Sequence, residues 1–137
     1  MRGDDGAGSF FGRILSERTN MTVIDGCDAP ENSTGIILKE SPDEIVIVDA
    51  LDFGGKPGES ICLTVDHLDG SGISTHGSLG LFIEYLQLST SARIMIIGFQ
   101  PKTVNLGDEL TPEMINGVKR VVDEIILTGK ICDISFA

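Results

Sequence analysis

Two unbroken runs of β-preferring apolar residues constrain this chain more than any other feature: Ile45-Val46-Ile47-Val48, and Ile94-Met95-Ile96-Ile97 leading into Gly98-Phe99. A strand that is apolar at consecutive positions has no polar face to turn to water, so both of its faces must be covered. Around these runs the apolar period changes. Phe10, Phe11, Ile14 and Leu15 recur at helical spacing and predict a helix from Ala7 to about Arg18. Leu79, Phe82, Ile83 and Leu86 stand at i, i+3, i+4 and i+7, an amphipathic helix. Thr111-Pro112-Glu113 supplies an N-cap, a proline at the first helical position and an acid in the first turn. Met114, Val118, Val121, Val122, Ile125 and Ile126 then form the apolar face of a long C-terminal helix.

Shorter signals fill the gaps. Met21 to Asp25 reads as a strand closed by glycine, and Ile61 to Val65 as another after the turn Pro57-Gly58-Glu59-Ser60. Ser33 to Glu40 reads as a two-turn helix, weakened by Gly35 and two isoleucines. Strands alternating with helices predict an α/β fold, a parallel or mostly parallel sheet with helices on both faces. Domains of this class normally open with a strand. Here Met1 precedes the Gly3-Asp4-Asp5-Gly6 turn by a single residue: either the chain is shortened, or its true start lies upstream, or the sheet manages with one strand fewer, and the acidic turn is expected to be looser.

Length and charge narrow the function. The 137 residues suit one domain, 1–137, able to bury a core without staples. No apolar run approaches the ~18 residues of a membrane span, and no long apolar stretch of a secretory signal opens the chain, which predicts a cytoplasmic protein. A net charge of −11 repels phosphate backbones and anionic headgroups, so nucleic acid and membrane are poor partners and a neutral or basic protein is a better one. Cys27, Cys62 and Cys132 form no Cys-x-x-Cys pair and read as three reduced, mostly buried thiols.

In such folds ligands gather beyond the carboxyl ends of the strands. Asp25 and Asp49 each close a strand, Asp5 lies just before the first helix, and His76 lies in a loop leading into a helix. The topology therefore brings all four to one rim. Each also has a plainer reading. An acid before a helix is a common N-cap, which would account for Asp5, and two adjacent carboxylates at Asp4-Asp5 argue against a phosphate loop. Asp49 closes a buried apolar strand and must be solvated, paired or used. His76 sits among Ser74, Thr75 and Gly77 rather than in an apolar stripe, whereas His67 in a polar stretch reads as a surface residue. Two carboxylates and an imidazole brought together would suit a borderline divalent ion such as nickel or zinc. There is no Gly-x-Ser-x-Gly elbow, no papain-like cysteine context and no His-Glu-x-x-His helix.

Five blocks of the chain carry a resemblance. Met-Arg-Gly-Asp-Asp-Gly-Ala-Gly at 1–8, Val-Ile-Asp-Gly-Cys-Asp-Ala-Pro-Glu-Asn at 23–32, Ile-Val-Asp-Ala-Leu-Asp-Phe-Gly-Gly-Lys-Pro-Gly at 47–58, Ser-Thr-His-Gly-Ser-Leu at 74–79 and Ile-Gly-Phe-Gln-Pro at 97–101 together resemble the hydrogenase maturation endopeptidases, nearest the branch that processes hydrogenase 3-type large subunits. The resemblance implies a three-layer sandwich with a twisted, mainly parallel sheet between helices. It implies an aspartic-type, nickel-dependent peptidase that removes the C-terminal peptide of a nickel-iron hydrogenase large-subunit precursor after nickel insertion, with nickel delivered inside the substrate as the recognition element. It maps the metal contacts onto Asp5, Asp49 and His76 and catalytic carboxylates onto Asp5, Asp49 and, in a supporting role, Asp25. The family's first strand and its Gly-Asn turn have no counterpart here.

Two other classes fit parts of the pattern. A phosphoreceiver module also has an early acidic pair and an aspartate ending its third strand, but it places a lysine before the proline that follows its fifth strand, where this chain has Gln100. A non-catalytic domain that only holds a hydrogenase precursor is the third reading.

Overall fold

The computed structural model describes residues 6–19, 37–39, 41–65, 77–102, 110–131 and 134–135. The expected strand Met21 to Asp25 lies outside them, as does most of the expected helix Ser33 to Glu40, of which 37–39 are helical. Helix α1 spans Ala7–Arg18, strand β1 Glu44–Ala50, β2 Ser60–Thr64, helix α2 Gly77–Ser89, β3 Arg93–Phe99 and helix α3 Pro112–Thr128. Two short strands, β4 Lys130–Ile131 and β5 Ile134–Ser135, pair as an antiparallel hairpin that the sequence had not announced.

Among the described residues the main sheet runs β1-β3-β2. Strand β1 pairs parallel to β3, with Ile45 opposite Ile94 and Asp49 opposite Gly98, while β2 pairs antiparallel to β3. The reversal has a plain cause. A parallel crossover needs about a dozen or more residues, and the connection from Leu51 to Glu59 is shorter, so the chain turns back and β2 descends beside β3.

Helices cover both faces, giving three layers. Strand alternation divides the side chains. Val46, Val48, Ile97 and Phe99 face α1 and α3, where Phe11, Leu15, Met114, Val118, Val122 and Ile125 complete the larger core. Phe11 and Phe99 meet with ring centroids 6.0 Å apart and tilted by 50°. Ile47, Leu51 and Ile96 face the other way, against Leu79 and Ile83 of α2.

The ends of α3 follow from its sequence. The Thr111 hydroxyl accepts a hydrogen bond from the Met114 N–H at 3.4 Å, Pro112 opens the helix, and Gly129 closes it in the left-handed conformation (φ 70°) with its N–H on the Ile125 carbonyl at 2.8 Å. No helix among the described residues is long and apolar enough to cross a membrane.

Candidate functional site

Asp49 is the expected site residue that the structure describes, and its surroundings are built from three element ends. It is half-buried, the penultimate residue of β1, and its Oδ1 accepts the Ala50 N–H at 2.8 Å, which orients the carboxylate. By alternation it shares a face with Ile47, the side covered by α2. The first turn of α1 rests on the carbonyl just before it: a Cβ added at Gly8 would stand 2.5 Å from the Val48 oxygen, so only glycine lets the helix approach so closely. The N-cap of α1 is Gly6, the residue after Asp5, so the cap position is not held by the acid. On the other side, Leu79 in the first turn of α2 packs with Leu51, two residues beyond Asp49, and α2 begins at Gly77, the residue after His76. The start of α1, the start of α2 and the carboxyl end of β1 thus meet at one rim. Asp5, Asp25 and His76 themselves lie outside the described residues.

The loop that leaves this rim is pinned by a residue that no sequence motif marks for that role. Gln100, only 8 % exposed, directly follows β3. Its Oε1 accepts the N–H groups of Phe53 at 2.9 Å and Gly55 at 3.1 Å, and its Nε2 donates to Asp52 Oδ1 at 3.2 Å. Its own backbone joins in: Gln100 N–H donates to the Glu59 carbonyl at 2.8 Å, and its carbonyl accepts the Gly58 N–H at 3.0 Å. One side-chain amide oxygen therefore satisfies two N–H groups of a half-buried loop. Gly58 holds a φ of 87° with the backbone of α3 close by: a Cβ there would overlap the Glu113 carbonyl, and one at Gly117 would overlap the Gly58 carbonyl. Arg120 adds a hydrogen bond to the Gly58 carbonyl at 3.3 Å. The sequence signal was available, a polar residue closing a run of buried apolar ones, but its partners are far away along the chain.

The same geometry bears on the phosphoreceiver reading. In the place where that module carries its lysine, Gln100 is buried and fully engaged with the loop, and the next cation, Lys102, is within 3.3 Å of the Glu113 carboxylate.

Elsewhere, a cleft of about 490 Å³ opens between β2, α3 and β4, lined by Cys62, Val121, Glu124, Ile125, Lys130 and Ile131 among others, with neither histidine nor aspartate. Cys62 corrects an expectation. It is exposed and disulfide-bonded rather than a buried free thiol. The physical reason for its exposure is position: among the described residues β2 is an edge strand, and Cys62 faces the open cleft beside α3 and not a closed core. Cys27 and Cys132 lie outside the described residues. No group of three metal-competent side chains is present among the described residues.

With this geometry in hand, comparisons with known proteins become specific. The family model described as hydrogenase maturation protease matches residues 10–128. The hydrogenase 3 maturation protease of Escherichia coli (strain K12) is 30% identical over 128 residues, covering 91% of this chain and 82% of that protein. Among solved structures, the endopeptidase HycI from Escherichia coli superposes with a TM-score of 0.81 at 27% identity, covering 98% of this chain and 88% of its own. The [NiFe] hydrogenase maturation protease HycI from Thermococcus kodakarensis KOD1 gives a TM-score of 0.79 at 32% identity, with 92% and 83% covered. The shared layers, the residues matched from the first helix to the last, and the identity over most of both chains place this protein in the hydrogenase maturation protease family.

Proposed function

We propose that this protease removes the C-terminal peptide of a nickel-iron hydrogenase large-subunit precursor once nickel is in place, and that Asp5, Asp49 and His76 read that nickel while it is still carried by the substrate. The observation that carries the reading is the rim: an oriented, half-buried carboxylate at the end of β1, with the helix starts that follow Asp5 and His76 packed against the residues on either side of it. Two carboxylates and an imidazole suit a borderline ion. Substrate-borne nickel bound at the rim would fix the scissile bond in place, and positioning alone is worth several orders of magnitude in rate.

The hydrolytic step needs a water with its proton removed and a carbonyl made more electrophilic. A carboxylate at the rim supplies the base, and the proton passes on to the leaving amine. The metal, when present with the substrate, supplies Lewis acidity. Asp49 is held for the base role by the Ala50 N–H, and Asp25 acts in support. No covalent intermediate is involved, consistent with the lack of an activated serine or cysteine motif in the sequence.

The test is cleavage of purified precursor, with and without nickel, followed by mass spectrometry. The wild-type protein is expected to cut only the nickel-loaded form, and His76→Ala to lose at least about 100-fold in rate. Full cleavage by His76→Ala would remove the metal-reading role.

A further inference from the structure

Helix α2 is apolar on two sides, and among the described residues only the inner one packs against the rest of the fold. Its inner side is conventional: Leu79, Ile83 and Leu86 are 6%, 3% and 0% exposed. Its outer side carries Leu81, Tyr85 and Leu88 at 70%, 55% and 83% exposed. These stand at i, i+4 and i+7, which lines them along one face over about two turns. Single exposed leucines are ordinary, but a contiguous stripe on a helix without basic residues is not. Glu84, the one charged residue of α2, lies three residues from Leu81 and four from Leu88, at the border of the same face.

We infer that this stripe is a docking surface for the hydrogenase large-subunit precursor, which lays an apolar segment with a flanking basic side chain along the outer face of α2. The inference rests on the proteolytic reading above. Three side chains make a patch of roughly 300–600 Å² at most, the size of functional patches on monomers. That falls short of the ~800 Å² per partner of a stable dimer, so the patch suits a partner that binds and leaves. Its position agrees: α2 starts at the rim beside Leu51 and runs away from it, so a body engaged at Asp49 extends naturally over Leu81 and then Leu88. The charge agrees as well. An acidic chain of net −11 with Glu84 beside the stripe prefers a basic flank on its partner.

The test is the double variant Leu81→Asn/Leu88→Asn, with the milder Tyr85→Ala as a second. Initial rates are measured against concentration of nickel-loaded precursor, and precursor binding is measured separately by interferometry. The KM of the double variant is expected to rise about tenfold with kcat within about twofold, and Tyr85→Ala to follow in the same direction by about threefold. Wild-type cleavage with unchanged KM and binding in both variants overturns the docking surface while leaving the proteolytic reading intact. If wild-type protein binds the precursor but does not cut it, the proteolytic reading fails, and loss of that binding in the variants still supports the surface. Sedimentation supplies a further outcome: a wild-type dimer that the double variant dissolves would assign the stripe to a second copy of this chain and overturn the inference.

Discussion

The two faces of the sheet are built by different rules. Against one face, α1 and α3 bury apolar stripes and turn a largely polar back to water, with Ile126 and Leu127 exposed in the last turn of α3. α3 is capped at both ends, and its outer positions include Lys119, Arg120, Asp123 and Glu124. Against the other face, α2 buries Leu79, Ile83 and Leu86 and yet keeps Leu81, Tyr85 and Leu88 outside. The first face is finished by folding; the second is finished, on our account, by the substrate. Both faces send a helix start to the rim at Asp49, so the stable face anchors the site and the apolar one leads a partner to it.

Substitutions can break this comparison, starting with the anchored face. Phe99 is fully buried against Phe11, and Phe99→Ala is expected to destabilise by about 3–5 kcal/mol in urea unfolding. Ile83→Ala, on the inner side of α2, should cost about 2–4 kcal/mol, while Leu88→Ala, on the outer side of the same helix, should stay within about 0.5 kcal/mol. Equal costs at Ile83 and Leu88 would mean that the outer stripe is packed in solution and that the contrast between the faces is false.

Gln100→Ala should cost about 2–3 kcal/mol, because two loop N–H groups lose their acceptor, and amide exchange at Phe53 and Gly55 should accelerate in step. Reduction of the Cys62 disulfide is expected to lower stability by about 2–4 kcal/mol, read by thermal unfolding with and without reductant. The smallest effect belongs to Arg18, whose 2.6 Å ion pair with Asp123 joins α1 to α3 in the open: Arg18→Ala should cost under about 1 kcal/mol.

What the sequence made legible follows the same physical divide. The bounds of α1, the half-buried strand β1, the buried strand β3 and both ends of α3 were readable because their causes are local: apolar period, caps, a proline and a terminal glycine. The direction of β2 was not, since alternation looks the same in a parallel and an antiparallel strand. The outer stripe of α2 is hidden by the inner one: Leu79, Phe82, Ile83 and Leu86 satisfy the helical pattern alone, and Leu81, Tyr85 and Leu88 add no second period to it. Gln100 and the Cys62 disulfide depend on partners distant in sequence, which no local signal encodes. Of the candidate site, Asp49 was legible because a carboxylate closing an apolar strand run needs solvation, a partner or a use.

The central claim is that the rim at Asp49 cuts a nickel-loaded precursor, and one measurement tests it most directly. Purified Asp49→Asn protein is incubated with nickel-loaded large-subunit precursor beside the wild type, and the released C-terminal peptide is quantified by mass spectrometry. The asparagine keeps the shape while removing the charge. The account predicts peptide release by the wild type and a loss of at least about 1,000-fold in the variant, with precursor still bound. Release at the wild-type rate by Asp49→Asn would contradict it.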